Sequence, residues 1–377
     1  MSAPLRVETN IHDDDLWSDE DDLLLLETCT ENSEVNCLEQ PETHPSDSST
    51  AASVKSKNTA DTNNTTSSDH ELPPLQRYRP NYLWVSDLTN QKWCEQKMVY
   101  SFTVPVLVEE NPTMTAGSTL HLARELAVHD VVRVQITSNE DIFAIKLMNL
   151  LTAIVGFLNG LTVAREVPIF GTPFDEDVLV IGVIDELRFD PESYIIDLLE
   201  LKTRKMKSLP KESQLSQHRL QVMVYKKLFD DLVKGKLSKE TVARHLKLSL
   251  EKQFGESISK HLEDKLITSK NLNNLFDFVF MKIQAMTCVS QVIIEYVHQD
   301  SHETMLHKEV FYDDDELRTQ FVQLLKFWKG ERKPVGVDIE ESYKCQCCEF
   351  ADICEWRAQK AEEHALRRTQ QQNKAVS

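Results

Sequence analysis

Val180-Ile181-Gly182-Val183-Ile184-Asp185, then after a short polar turn Tyr194-Ile195-Ile196-Asp197-Leu198-Leu199-Glu200-Leu201-Lys202, is the stretch that decides the fold. Both runs are rich in β-branched and apolar residues and are separated by turn formers, which predicts two successive strands. The second is apolar on both faces, as a central strand is, yet Glu200 and Lys202 interrupt it. Residues i and i+2 of a strand share a side, so the carboxylate and the ammonium face the same way. Such charges in an apolar strand are costly unless each is paired or binds an ion. Asp185 is a third ionisable group in an apolar run, and Gly182 permits close backbone approach. Asp185 and Glu200 can share a Mg2+, which takes carboxylates, waters and a phosphate oxygen. Lys202 then has a role in positioning water or stabilising charge. Read alone, the pattern D…E-x-K also fits a salt-bridged structural strand.

Working outward, Leu161–Phe170 reads as a strand before these two, so Leu161–Phe170, Val178–Phe189 and Tyr194–Lys202 form a run of three. Upstream, Ser86-Asp87 has the character of a helix N-cap, a second helix follows Gly117-Ser118, and a third starts at Ser138. Glu212–Val233 shows helical periodicity, residues 238–288 read as wholly helical, Val289–Val297 and Met305–Phe311 as strands, and Asp314–Trp328 as a helix. The order predicts a mixed α/β chain with one dominant sheet. His121 opens the helix after Gly117, and Gln221 and Tyr225 lie at i and i+4 on the helix after the strands, with His218 one turn earlier.

The 377 residues are 41% hydrophobic, enough for a large core. The net charge of −19 is unevenly spread, because residues 1–72 hold 17 acids and 3 bases. The remainder is nearly balanced and leaves room for a basic face. From Thr43 to Ser68 the chain is dominated by Ser and Thr with few large apolar groups, so residues 1–72 are expected to be a disordered acidic tail. Within it, Asp13-Asp14-Asp15-Leu16-Trp17 and Leu23 to Leu26 form an acidic–aromatic segment able to dock on a basic partner. No secretion signal is evident and no apolar run approaches ~18 residues. A reducing compartment, nucleus and cytosol, with no membrane association, is expected, and there clustered cysteines bind metal more often than they pair. Cys345, Cys348 and Cys354 stand at C-x2-C-x5-C, with Cys94 far upstream to complete a set of four. Zinc and an iron–sulfur cluster both take thiolates, and spacing does not choose between them. Cys347 offers an alternative to Cys348.

The set of a helix with G-x-x-x-H, a strand with G-x-x-D, a strand with E-x-K and a helix with Q-x-x-x-Y resembles the RecB-type branch of the PD-(D/E)XK nucleases, in the family's order. With the cysteine layout, and with no P-loop, the chain over residues 73–360 resembles the exonuclease V family. The resemblance implies a restriction-endonuclease-like α/β core, a mixed central sheet flanked by helices, with a helical insertion at about 236–288, an iron–sulfur clasp, and a polar tail at 361–377. His121, Asp185 and Glu200 would be metal ligands or groups around the metal, Lys202 the catalytic lysine, and Gln221 and Tyr225 organisers of the site. Cys94, Cys345, Cys348 and Cys354 would hold a [4Fe-4S] cluster. Mg2+-dependent cleavage of single-stranded DNA from its ends by a monomer is implied, with a 5′ direction expected, in genome repair. A single-strand-binding protein is a candidate partner of the tail. A metal-stapled nucleic-acid-binding protein, or an endonuclease or RNA-directed enzyme of the same fold, is the alternative. Two basic runs, Lys202, Arg204, Lys205, Lys207, Lys211 and Lys329, Arg332, Lys333, are candidate phosphate contacts. Trp84, Trp93, Trp328 and Trp356 are candidates for base stacking.

Overall fold

The structure, a computed structural model, describes residues 5–9, 72–104 and 130–376. The helix expected after Gly117-Ser118, with His121, and the acidic–aromatic segment lie outside the described residues. In chain order the elements are β1 (Leu5–Thr9), α1 (Pro74–Tyr78), β2 (Tyr82–Trp84), α2 (Val85–Trp93), α3 (Glu95–Thr103), β3 (Asp130–Val134) and α4 (Asn139–Leu158). Then come β4 (Val163–Gly171), β5 (Leu179–Asp190), β6 (Ile195–Arg204), α5 (Glu212–Val233), α6 (Lys239–Leu246), α7 (Glu256–Asp264) and α8 (Leu272–Ile283). β7 (Val289–His298), β8 (Thr304–Glu309), α9 (Asp314–Trp328) and α10 (Glu355–Val376) complete the chain.

The three strands expected around the D…E-x-K pattern are β4, β5 and β6 of a mixed six-stranded sheet, with β5 and β6 inside it and β4 at its edge. β4 runs antiparallel along one flank of β5 from Val163↔Arg188 to Gly171↔Val180. Two strands divide the other flank: β2 pairs in parallel with Leu179–Ile181, and β6 pairs antiparallel with Glu186–Asp190. Residues 182–185 of β5 therefore face a gap. β6 leaves β5 after Leu199, continues in parallel with β7 as far as Arg204↔His298, and β8 closes that edge.

α5 is the central helix, buried almost continuously from Leu220 to Leu232 and packed on β4, β7 and α2. By length and composition α4 could cross a bilayer, but Phe143, Leu147, Leu150, Ile154 and Phe157 are core residues of the fold. Ser138 caps it, accepting the Asp141 N–H at 3.2 Å.

Several expectations need correction. Leu5–Thr9, inside the stretch expected to be disordered, form β1, which pairs in parallel with β3. The helix near Ser86 starts at Val85, and Asp87 caps it by accepting the Trp84 N–H at 2.9 Å. Residues 238–288 are not wholly helical. They form α6, α7 and α8, separated by turns that include Lys247 and Leu266 at positive φ. The turn between α6 and α7 docks on the start of α4: Glu140 accepts from Ser249 N–H (3.0 Å) and Lys252 (2.7 Å), and Asp141 from Gly255 N–H (2.9 Å). A Cβ on Gly255 would lie 2.7 Å from Thr137 Oγ1, so glycine is what lets the turn reach Asp141.

Candidate active site

The gap beside β5 is where the ionisable groups of the two strands meet. The last β5–β6 pair is Glu186↔Leu199, so the next positions outward are Asp185 and Glu200, opposite each other and on one face. The ladder does not continue through backbone groups there. The Asp185 carboxylate takes the Leu201 N–H instead, with Oδ2 at 2.7 Å. Glu200 is 2% exposed, and its Oε1 accepts from Lys202 Nζ at 2.8 Å. A buried carboxylate whose ion-pair partner is half-exposed suits a site that receives a cation from one side. The chemistry of the donors fits a hard divalent cation, for Mg2+ is held by one or two carboxylates with waters and phosphate oxygens making up the octahedron. Among the described residues no three His, Cys, Asp or Glu side chains gather closely enough to hold an ion by themselves.

α5 lies over the face that carries Glu200 and Lys202. Tyr296, the β7 neighbour of Lys202, shares a 2.9 Å hydrogen bond with His218 Nδ1. Burial, with Lys202 and Arg204 close by, pushes the His218 imidazole down to about 3. Burial pushes Tyr296 up to about 12, against the pull of the same two cations. Both groups stay neutral beside the lysine. One turn on, Gln221 Nε2 donates to Tyr225 Oη at 3.3 Å. The Tyr225 ring stands where a Gly182 side chain would be: a Cβ there would lie 2.6 Å from Tyr225 Cε1 and 2.9 Å from Val85 Cγ2. Gly182, Gln221 and Tyr225 are thus parts of one contact.

The four cysteines come from both ends of the fold. Cys94 is the residue between α2 and α3, and Cys354 immediately precedes α10, where its carbonyl accepts the Ala358 N–H. Burial raises the Cys94 thiol, the N–H groups of Lys97 and Gln96 lower it, and nearby Cys348 and Cys354 raise it further. Burial likewise raises Cys345, with Cys354 and Cys348 adding to it. Cys94 and Cys345 are therefore each within electrostatic reach of Cys348 and Cys354, although among the described residues no three of these thiols gather closely enough to hold an ion. Around them Lys344 donates to the Trp93 carbonyl at 3.3 Å, Lys97 pairs with Glu349 at 3.1 Å, and the Tyr100 and Phe350 rings pack at 5.7 Å.

Known proteins share this chain's pattern. The family model described as exonuclease V, a 5′ deoxyribonuclease, matches residues 73–194, 190–266 and 256–357. The chain belongs to the exonuclease V family. The exonuclease V of Danio rerio is 36% identical over 294 residues, 77% of this chain and 74% of that protein. Among solved structures, that of SSO0001 is 14% identical and covers 74% of this chain and 87% of its own, with a TM-score of 0.36.

On this exonuclease V family member, several candidate nucleic-acid contacts are engaged inside the protein. Trp84 and Trp328 are 3% and 0% exposed and belong to the core, which removes them as stacking platforms. Lys329 is bound to Glu176 at 2.7 Å and Arg332 to Glu95, the residue after Cys94, so these two cations of the second basic run are engaged within the fold. In the first run Lys207 pairs with Glu303 at 2.9 Å, and Lys211 lies over the Tyr343 ring. Two residues near the site escape a sequence reading. Glu166 has φ 48° and sits between the pairs Arg165↔Glu186 and Val167↔Ile184, which places it across from Asp185. Tyr296 reads from sequence as an ordinary strand aromatic, and only the register with Lys202 gives it a part.

Proposed function

We propose that the protein is a metal-dependent exonuclease that hydrolyses single-stranded DNA from its ends in the 5′ direction. The observation that carries the reading is the parting of β5 from β6 at Leu199, which leaves Asp185 and Glu200 opposed at the mouth of a gap with Lys202 beside them. Asp185, Glu200 and the Leu201 carbonyl would hold Mg2+, and His121 is a further candidate from the sequence pattern. A divalent ion there supplies Lewis-acid activation of water and of the scissile phosphate. Lys202 is placed to stabilise charge developing on the phosphate oxygens, and its ion pair with Glu200 fixes where the ammonium points. His218 and Tyr296, both neutral, add no charge of their own beside that ammonium. Gln221 and Tyr225 hold α5 against Gly182 and so set the depth of the gap.

Cys94, Cys345, Cys348 and Cys354 are proposed to hold a [4Fe-4S] cluster, which clasps α2 and α3 to the C-terminal segment. The acidic–aromatic segment around Trp17 is proposed to meet a single-strand-binding partner, and the enzyme to work as a monomer.

Asp185→Asn and Glu200→Gln should each cut the rate on linear single-stranded DNA by about a hundredfold or more while the protein stays folded. Circular single strands should resist the wild-type protein, since a circle has no end to enter. A folded Glu200→Gln protein that degrades DNA at the wild-type rate would overturn the site, and rapid loss of circles would overturn the exonuclease mode.

A further inference from the structure

We infer that Arg204 holds the DNA phosphate next to the one being cut, an assignment that rests on the proposed active site and extends it along β6. Glu200, Lys202 and Arg204 are at i, i+2 and i+4 of one strand and so share a face. That face looks toward α5, because both Lys202 and Arg204 act on His218 and on Tyr296. A two-residue step along a strand is about 7 Å, and an extended single strand repeats its phosphates at a spacing of that order. A strand with its scissile phosphate at Lys202 therefore presents its neighbour to Arg204.

Arg204 is held for such a task and is not used up by the fold. Its Nη1 reaches Gln214 Oε1 at the first turn of α5 by a long 3.5 Å bond, while its Nε is buried with no hydrogen-bond partner among the described residues. A buried guanidinium N–H without an acceptor is costly; the side chain as a whole is only partly buried, so a turn of the head group outward onto a bidentate phosphate would satisfy it. The other cations of the run lie differently, for Lys207 is bound to Glu303 and Lys211 lies over Tyr343. Arg204 thus supplies the planar fork that a phosphate accepts in two places.

The test uses full-length protein and a labelled oligothymidylate in EDTA, read by fluorescence anisotropy across a salt series. Arg204→Gln should weaken binding about tenfold and lower the salt slope by about 0.7, one single-strand phosphate contact. Arg204→Lys should keep the slope and lose part of the affinity. In a second arm, single uncharged methylphosphonate linkages are walked along the oligonucleotide in Mg2+. One linkage adjacent to the cut should lower kcat/KM about tenfold in the wild-type protein and have no effect in Arg204→Gln. An unchanged salt slope in Arg204→Gln, or equal sensitivity of both proteins at every linkage, overturns the assignment while leaving the proposed function in place. Failure of the wild-type chain to bind single-stranded DNA at all overturns both.

Discussion

His218 shows how one side chain reports its surroundings. It is buried beside two cations and bonded to a tyrosine that is itself neutral, so it remains uncharged down to about pH 3, whereas an unfolded chain takes up that proton near 6.5. Between those values the unfolded state binds more protons, so stability rises with pH there. The contribution is complete above about 6.5 and is lost as pH falls toward 3. Unfolding free energies from urea titrations between pH 7 and pH 4.5 should fall less steeply for His218→Gln than for the wild type, by up to about 1.4 kcal/mol per pH unit. Equal slopes would mean that the imidazole is hydrated and titrates normally. Nothing adjacent in sequence marks this histidine as different from any other on a helix. Asp185 and Glu200, by contrast, stand out by their neighbours alone, as acids in apolar runs.

At the scale of elements, the strands that carry the acids and the helix that covers them were legible, because their periods are 2 and 3.6 over ten or more residues. Glu212–Val233 and Asp314–Trp328 agree with the observed helices at both ends. The insertion was not legible. α6, α7 and α8 share a helical apolar period, while the turn that parts α6 from α7 is held by Glu140 and Asp141, over a hundred residues away. The contact of α5 with β5 yields a direct test. Gly182→Ala puts a methyl 2.6 Å from the Tyr225 ring and 2.9 Å from Val85, on two elements that are both packed from behind. Such overpacking costs about 1–3 kcal/mol, to be read as a lower urea midpoint with an unchanged m-value. Activity should fall as well, because α5 also holds His218 and Gln221 over the site. A variant with wild-type stability and rate would show that Tyr225 swings aside freely.

Across the whole molecule, Cys94 and the Cys345–Cys354 segment are brought together from positions some two-thirds of the chain apart, and closing a loop of that size carries a large entropy. The cluster proposed there would stabilise the folded nuclease as a unit and not one end of it. Cys94→Ser and Cys348→Ser should each abolish the broad visible absorption expected of anaerobically purified protein, lower Tm and raise protease sensitivity between residues 73 and 360. Cys347→Ser should leave the spectrum intact. Colourless wild-type protein carrying zinc would replace the cluster with a single ion.

The amino-acid order by itself determined the periodic elements, the acids and lysine placed in apolar strands, and the thiol spacing, because each of these is written in neighbours a few residues apart. Tertiary structure alone decided where β6 leaves β5, which cations are sequestered by Glu176, Glu95 and Glu303, and that Arg204 keeps a buried N–H without an acceptor among the described residues. Those outcomes depend on groups that meet only after folding has brought distant segments together, and local pattern carries no record of such partners.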